Sequence, residues 1–386
     1  VQPDIYDPAF QEDPFPVYAE LRKSQPVYRE PRYGAFLLTR FDDVLDALRD
    51  HETWRSGAGP APMPGTFVGL PVLAATDPPY HDQLRSLVNR AFTPRRVEKS
   101  AARIETLGRE LVEALPEGAF DLVSALSIPL PVTVIAEMLG VPAERQPEFR
   151  RWSDAFVGLL ENPPTPELTS CAQELITYFR QLSEERRASP GDDLVSGLLE
   201  AEIDGRRLSQ DELDAFFIML LVAGNETTTN LISNQLSLLA GRPDLWAKLR
   251  ADRSLIPAAI EETVRWDGPV QNLGREATRD VTLRGVEILK GARLVVSFGA
   301  ASRDPAEFDD PEAYRLDRGA FHQLGFGQGV HFCLGAGLAR LEGRVALNAL
   351  LDRFAEIAPG AEPARRLHST VIRGFESLPL QGVGAA

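Results

Sequence analysis

The chain has 386 residues, 44% hydrophobic and 25% charged, the composition of a globular protein with a substantial core. A formal charge of −15 argues against nucleic acid as a partner, because phosphate binding needs a basic surface. Cys171 and Cys333, the only cysteines, form no CxxC pair, which excludes a disulfide framework and a zinc ribbon.

The first residues, VQPDIYDPAFQEDPFPVYAELRK, have neither the basic start nor the apolar run of a signal peptide. FDDVLDALRD (41–50) places apolar residues at three- and four-residue spacing, which predicts a helix. A Pro/Gly-rich apolar segment, RSGAGPAPMPGTFVGLPVLAATDPPY (55–80), reads as a lid or binding loop. Helical spacing returns in 81–92, 97–115 and 166–188. The longest helix is expected from Ser209, where SQDE is a capping box with Glu212 reaching back. It runs to LLAGRP with only Gly224 to interrupt it. About thirty residues at about 1.5 Å each span about 45 Å, enough to cross a domain. Its apolar stretch AFFIMLLVAG (215–224) is too short to span a bilayer, so no membrane anchor is expected. After residue 266 short β-prone runs appear in 280–298, with a second β region in 369–380. No repeat or linker divides the chain. The expectation is one cytoplasmic domain over 1–386, mainly α with a minor β region.

The stretch FGQGVHFCLG (326–335) holds Cys333 in a glycine-rich loop that leads into helical sequence. A helix starting at or just after Cys333 would set its sulfur among unpaired N–H groups at a positive dipole end, an environment that favours a thiolate. Gly327, Gly329 and Gly335 would permit tight turns and the close approach of a flat partner. Chemistry alone leaves three readings open: a buried structural cysteine, a nucleophile with His331 as base, and a thiolate ligand of haem iron.

The string FGQGVHFCLG resembles the haem-binding signature of the cytochrome P450 family, F-G-x-G-x-H-x-C-x-G, at every fixed position. The resemblance implies a P450-type fold with a long central helix over haem b, and Cys333 as its axial ligand. Phe326, Gly327 and Gly335 would frame the porphyrin. AGNETTTN (223–230) is similar to the family's A-G-x-[DE]-T-T segment. That maps Glu226 and Thr227 onto an acid–alcohol pair for proton delivery. Ala223 and Gly224, lacking bulk, would leave room for O2 and substrate. A water-satisfied kink, with Thr bonded back to the preceding turn, is the structural alternative. DPPYHDQLR (77–85) resembles D-P-P-x-H-x-x-x-R. His81 and Arg85, with Arg275 and His331, match positions that bind the haem propionates. Glu262 and Arg265 in EETVR, with Arg318 in YRLDR, match a structural Glu–Arg–Arg network. Departures from the family pattern are Gly337, Tyr80 and the position of His322.

By mapping onto the family's substrate-contact regions, Phe67, Val68 and Leu70 would lie in the loop over the pocket. Met219, Val222 and Ala223 would line it from the long helix, with Gln271, Leu273, Ile372 and Phe375 from the β segments. Arg373 is read as solvated, with contact to a carboxylate as the alternative. The implied activity is insertion of one oxygen atom of O2 into a C–H bond of a small-to-medium hydrophobic substrate by a monomeric enzyme. Electrons would come from a separate ferredoxin or flavodoxin with an NAD(P)H-dependent reductase, docking near Arg340 and Arg344. The rival readings are a peroxide-driven peroxygenase, against which Glu226 and Thr227 argue, and a haem-based sensor or carrier.

Overall fold

Ser209 starts the element around which the chain is arranged. Its Oγ accepts from the Glu212 N–H at 3.3 Å, and the Glu212 carboxylate accepts from the Ser209 N–H at 2.8 Å. That is the reciprocal box expected of SQDE. The structure, a computed structural model, describes residues 2–62, 71–161 and 165–384. Phe67, Val68 and Leu70 lie outside the described residues, as does the Val222 side chain.

The central helix runs Gln210–Leu221, widens into a π-type turn over Val222–Glu226, and continues as Thr227–Ala240. The polar run AGNETTT therefore does not break the helix; it widens it by one residue, as π-bulges at functional sites do. Hydroxyls serve the widened turn: Thr227 Oγ1 donates to the Ala223 carbonyl at 2.5 Å and Thr228 Oγ1 to the Gly224 carbonyl at 3.0 Å. A Cβ on Gly224 would lie 3.1 Å from Ile135 Cδ1, so its missing side chain lets helix Pro129–Met138 approach. By length and hydropathy Gln210–Ala240 would cross a bilayer, yet 65% of its apolar window is buried inside the protein. It is a core helix.

The predicted helices form as Phe41–Arg49, Tyr80–Ala91, Pro94–Glu113 and Pro166–Ala188. Helix Ala336–Arg353 follows the cysteine loop and packs on Pro94–Glu113, Thr227–Ala240 and Ile256–Trp266. Most of the apolar core lies among these helices.

The β structure extends further toward the N-terminus than expected. A five-stranded sheet has the order Val27–Arg29, Phe36–Leu38, Arg293–Ser297, Asn272–Ala277, Trp54–Arg55. Phe36–Leu38 runs parallel to Arg293–Ser297, pairing Phe36 with Leu294. The sheet's N-terminal strands, two or three residues each, are too short to show alternation, and Asn272–Ala277 lies ahead of the expected 280–298 run, so of this sheet only Arg293–Ser297 falls where β structure was expected. The C-terminal β region pairs Pro379–Gly384 with both Gly118–Asp121 and Phe354–Pro359. Ile372 bridges to Val270, which brings the C-terminal turn beside the large sheet.

Candidate active site

The cysteine loop closes on itself through the Cys333 N–H, which donates to the Phe326 carbonyl at 2.8 Å. Gly327 and Gly329 take φ values of +72° and +68°, the left-handed region that glycine enters without penalty. A Cβ on Gly329 would also lie 2.7 Å from the Leu48 carbonyl oxygen. Gly335 has φ −86° and is not needed for a turn; open space surrounds the position a Cβ would take. The helix begins at Ala336, three residues beyond the cysteine, yet the Gly335 and Ala336 N–H groups both reach its sulfur. Burial pushes the Cys333 thiol up, against the lowering by the Gly335 N–H, Arg85, Arg340 and the Ala336 N–H. A bound metal ion would oppose that rise and favour the thiolate.

The nucleophile reading fails at its base. His331 is pushed down to about 2, first by burial and then by Arg275, His81 and Arg85, so it cannot take a thiol proton near neutrality. Instead it belongs to a cationic and donor-rich set. His81, 1% exposed on helix Tyr80–Ala91, packs its ring 4.3 Å from that of His331. The His81 Nδ1 meets Asp82 Oδ1 at 3.0 Å, while Nε2 of both histidines is buried without a hydrogen-bond partner. Arg275 is buried on strand Asn272–Ala277, and its side chain donates to the Gly274 carbonyl at 2.8 Å. Burial lowers it to about 10. Arg85 is also held below its usual value by burial, with the Cys333 sulfur close enough to oppose the shift. Buried cations without bonded counter-ions are costly unless an anion completes them. Beside a lone thiol, that deficit fits the two propionates and the iron of haem. Among the described residues no three His, Cys, Asp or Glu side chains cluster as a metal site. A metal at Cys333 must therefore bring most of its own ligands, as haem iron does.

The π-turn of the central helix carries the acid–alcohol segment. Ala223 is exposed, and Thr227, having given its proton to the Ala223 carbonyl, keeps oxygen lone pairs free for a donor. Glu226 accepts from Asn230 Nδ2 at 3.2 Å. Asn225 turns the other way and donates to Ser153 Oγ at 2.7 Å.

The bracing network is buried at Glu262 and Arg265, with Arg318 half-buried at its edge. Glu262 accepts from Arg265 Nε at 2.8 Å and Nη2 at 2.7 Å, from Arg318 Nε at 2.9 Å and from the Arg315 N–H at 2.9 Å. Both arginines also donate to carbonyls of residues 302–313, the segment that leads toward the cysteine loop.

Several expected pocket residues also make contacts within the chain. Met219 packs with Val72, Ala74, Ala75 and Ala215, joining the loop after residue 70 to the central helix. Leu273 packs on the sheet core, and Ile372 lies at the bridge to Val270. Gln271 donates to the Gly268 carbonyl at 2.8 Å and lies hard against Gly299, which commits it to the chain. Phe375 is buried beneath the Arg366 guanidinium, 4.0 Å from the ring centroid, and is core. Arg373 is not solvated: it is 6% exposed and donates to Asp267 at 2.7 Å. Arg340 pairs with Glu261 and covers the Phe326 ring at 4.3 Å, so it is engaged within the protein. Sequence reasoning missed Asn230, the Tyr80 hydroxyl on Glu212 at 2.6 Å, and Glu342, buried with both oxygens unpartnered. For Asn230 the signal was available, four residues after Glu226 on a helix.

The family model for cytochrome P450 matches residues 146–379. Cytochrome P450 107B1 of Saccharopolyspora erythraea is 40% identical over 98% of both chains. The chain belongs to the cytochrome P450 family. The vitamin D(3) 25-hydroxylase of Pseudonocardia autotrophica is 39% identical to this P450 over 98% of its length and 96% of the relative's. The solved structure of cytochrome P450 CYP109Q5 from Chondromyces apiculatus superposes with a TM-score of 0.92 at 37% identity, covering 99% and 98% of the two chains. This P450 is therefore a haem enzyme with cysteine-thiolate ligation and a monooxygenase. It has the P450 fold, mainly helical with a minor sheet.

Proposed function

We propose that this P450 inserts one oxygen atom of O2 into a C–H bond of a small-to-medium hydrophobic substrate, with Cys333 as the axial ligand of its haem. Electrons come from a separate ferredoxin or flavodoxin and an NAD(P)H-dependent reductase. The observation that carries the reading is the meeting of Cys333 with His81, Arg85, Arg275 and His331, an uncompensated donor set. The haem, when bound, supplies the oxygen-activating redox chemistry.

The chain's own groups do the rest. His81, Arg85, Arg275 and His331 hold the propionates, Arg through its planar fork. The Gly335 and Ala336 N–H groups bond the Cys333 sulfur and temper its charge. Thr227 accepts from a water through its free lone pairs, and Glu226 exchanges protons with that water. This acid–alcohol pair favours an O2-driven monooxygenase over a peroxide-driven enzyme or a haem-based carrier, which need no proton relay. Met219, Ala223, Leu273 and Ile372 remain the substrate-side residues. The relative named for vitamin D(3) hydroxylation supports an apolar substrate class.

Titration of the haem-loaded protein with vitamin D3 and other apolar compounds tests the reading. A substrate-induced Soret shift, followed by hydroxylated product with NADPH, a ferredoxin and its reductase, is expected. Turnover with peroxide but none with O2 and reductant would favour the peroxygenase, and no O2 consumption with any reductant the carrier.

A further inference from the structure

Glu226, Asn230 and Asn234 follow one another at four-residue steps and so share one face of the central helix. Asn230 is fully buried, and its Nδ2 donates to Glu226 Oε1 at 3.2 Å. Its own oxygen has no hydrogen-bond partner. What seats that oxygen is Gly374: a Cβ there would lie 1.8 Å from Asn230 Oδ1 and 2.2 Å from its Cγ. Gly374 is not among the glycines with positive φ, so the position needs glycine for space and not for backbone conformation. The turn carrying Gly374 is pinned. Asn234 Nδ2 donates to the Arg373 carbonyl at 3.0 Å and the Asp267 carbonyl at 2.8 Å. The Gln271 N–H donates to the Val371 carbonyl at 2.8 Å, and Ile372 bridges Val270.

We propose that Asn230 is a positioning residue for the Glu226 carboxylate, and that the 371–375 turn sets Asn230 by pressing its amide against Gly374. The amide can turn only one end toward a carboxylate, so Glu226 selects its N–H end and Gly374 receives the oxygen. A glutamate has three rotatable side-chain torsions, and this contact removes much of that freedom at the atom that exchanges protons. Because Ile372 lies in the same turn, a substrate that displaces the turn also displaces the acid. The inference rests on Glu226 being the proton-handling acid of the proposed reaction.

Crystal structures of haem-loaded Asn230→Ala, Asn230→Asp and Gly374→Ala read the carboxylate position directly. The Glu226 carboxylate should leave its place in all three; finding it in place in Asn230→Ala overturns the proposal, and that variant carries the test alone should Gly374→Ala fail to fold. With NADPH, a surrogate ferredoxin and its reductase, Asn230→Ala should raise the peroxide released per NADPH several-fold, within the about tenfold weight of a hydrogen bond to a charged group. The same substitution in a Glu226→Gln background should add nothing. An equal rise in both backgrounds, or in neither, overturns the proposal. Absence of a thiolate signature in the reduced CO spectrum of the unmodified protein would instead sink the haem-thiolate reading, leaving the carboxylate position to decide this one.

Discussion

Replacing Glu342 by Gln should stabilise this P450 by an amount that grows with pH. Glu342 sits on helix Ala336–Arg353, fully buried, and both of its oxygens lack hydrogen-bond partners. Burial raises its pKa from 4.5 to about 8. The folded state therefore keeps a proton that the unfolded chain releases above pH 4.5, so stability is highest below that pH and falls until about pH 8. Between pH 4.5 and pH 7, at about 1.4 kcal/mol per pH unit, the loss approaches about 3 kcal/mol. Glutamine has nearly the same shape and does not titrate. Below pH 4.5 wild type and variant should differ only by a constant packing offset, and the gap should then open in the variant's favour. Urea unfolding of both proteins at several pH values between 4 and 8 measures the gap without needing the offset. A difference that stays flat with pH would refute the claim that Glu342 is buried neutral, as would one that opens in favour of wild type.

Glu262→Ala should strand Arg265 and Arg318 in a buried site and cost about 3–5 kcal/mol, seen as loss of cooperative unfolding or of haem retention. Unchanged urea unfolding would remove the network's bracing role. Thr227→Ala should keep substrate binding, read by the Soret shift, while diverting NADPH to peroxide; fully coupled product formation would count against the hydroxyl's role in proton delivery. Tyr80→Phe should cost about 1 kcal/mol, because the lost hydroxyl partner is the Glu212 carboxylate that caps the central helix. No change in urea midpoint would make that tie incidental.

What the sequence disclosed divides along physical lines. Amphipathic spacing and the SQDE box located the long helices, because both signals are local and strong. The cysteine loop and the acid–alcohol segment were legible because their chemistry is carried by adjacent residues. The short N-terminal strands were not: Phe36–Leu38 exists as a strand through its pairing with Arg293–Ser297, far along the chain. Side-chain partners were equally hidden. Arg373 looked solvated because Asp267, its partner, lies 106 residues away. The approach of Ile135 to Gly224 was hidden too, because nothing local signals it. Which face Phe375 and Gln271 each occupy depends on Arg366 in one case and Gly268 with Gly299 in the other.

The central claim is that the sulfur of Cys333 binds haem iron, and the reduced CO difference spectrum of wild type and Cys333→His tests it most directly. Wild type should show the long-wavelength thiolate band, and the variant should bind haem without it. A variant spectrum identical to wild type, or a wild type that lacks the band, would contradict the assignment.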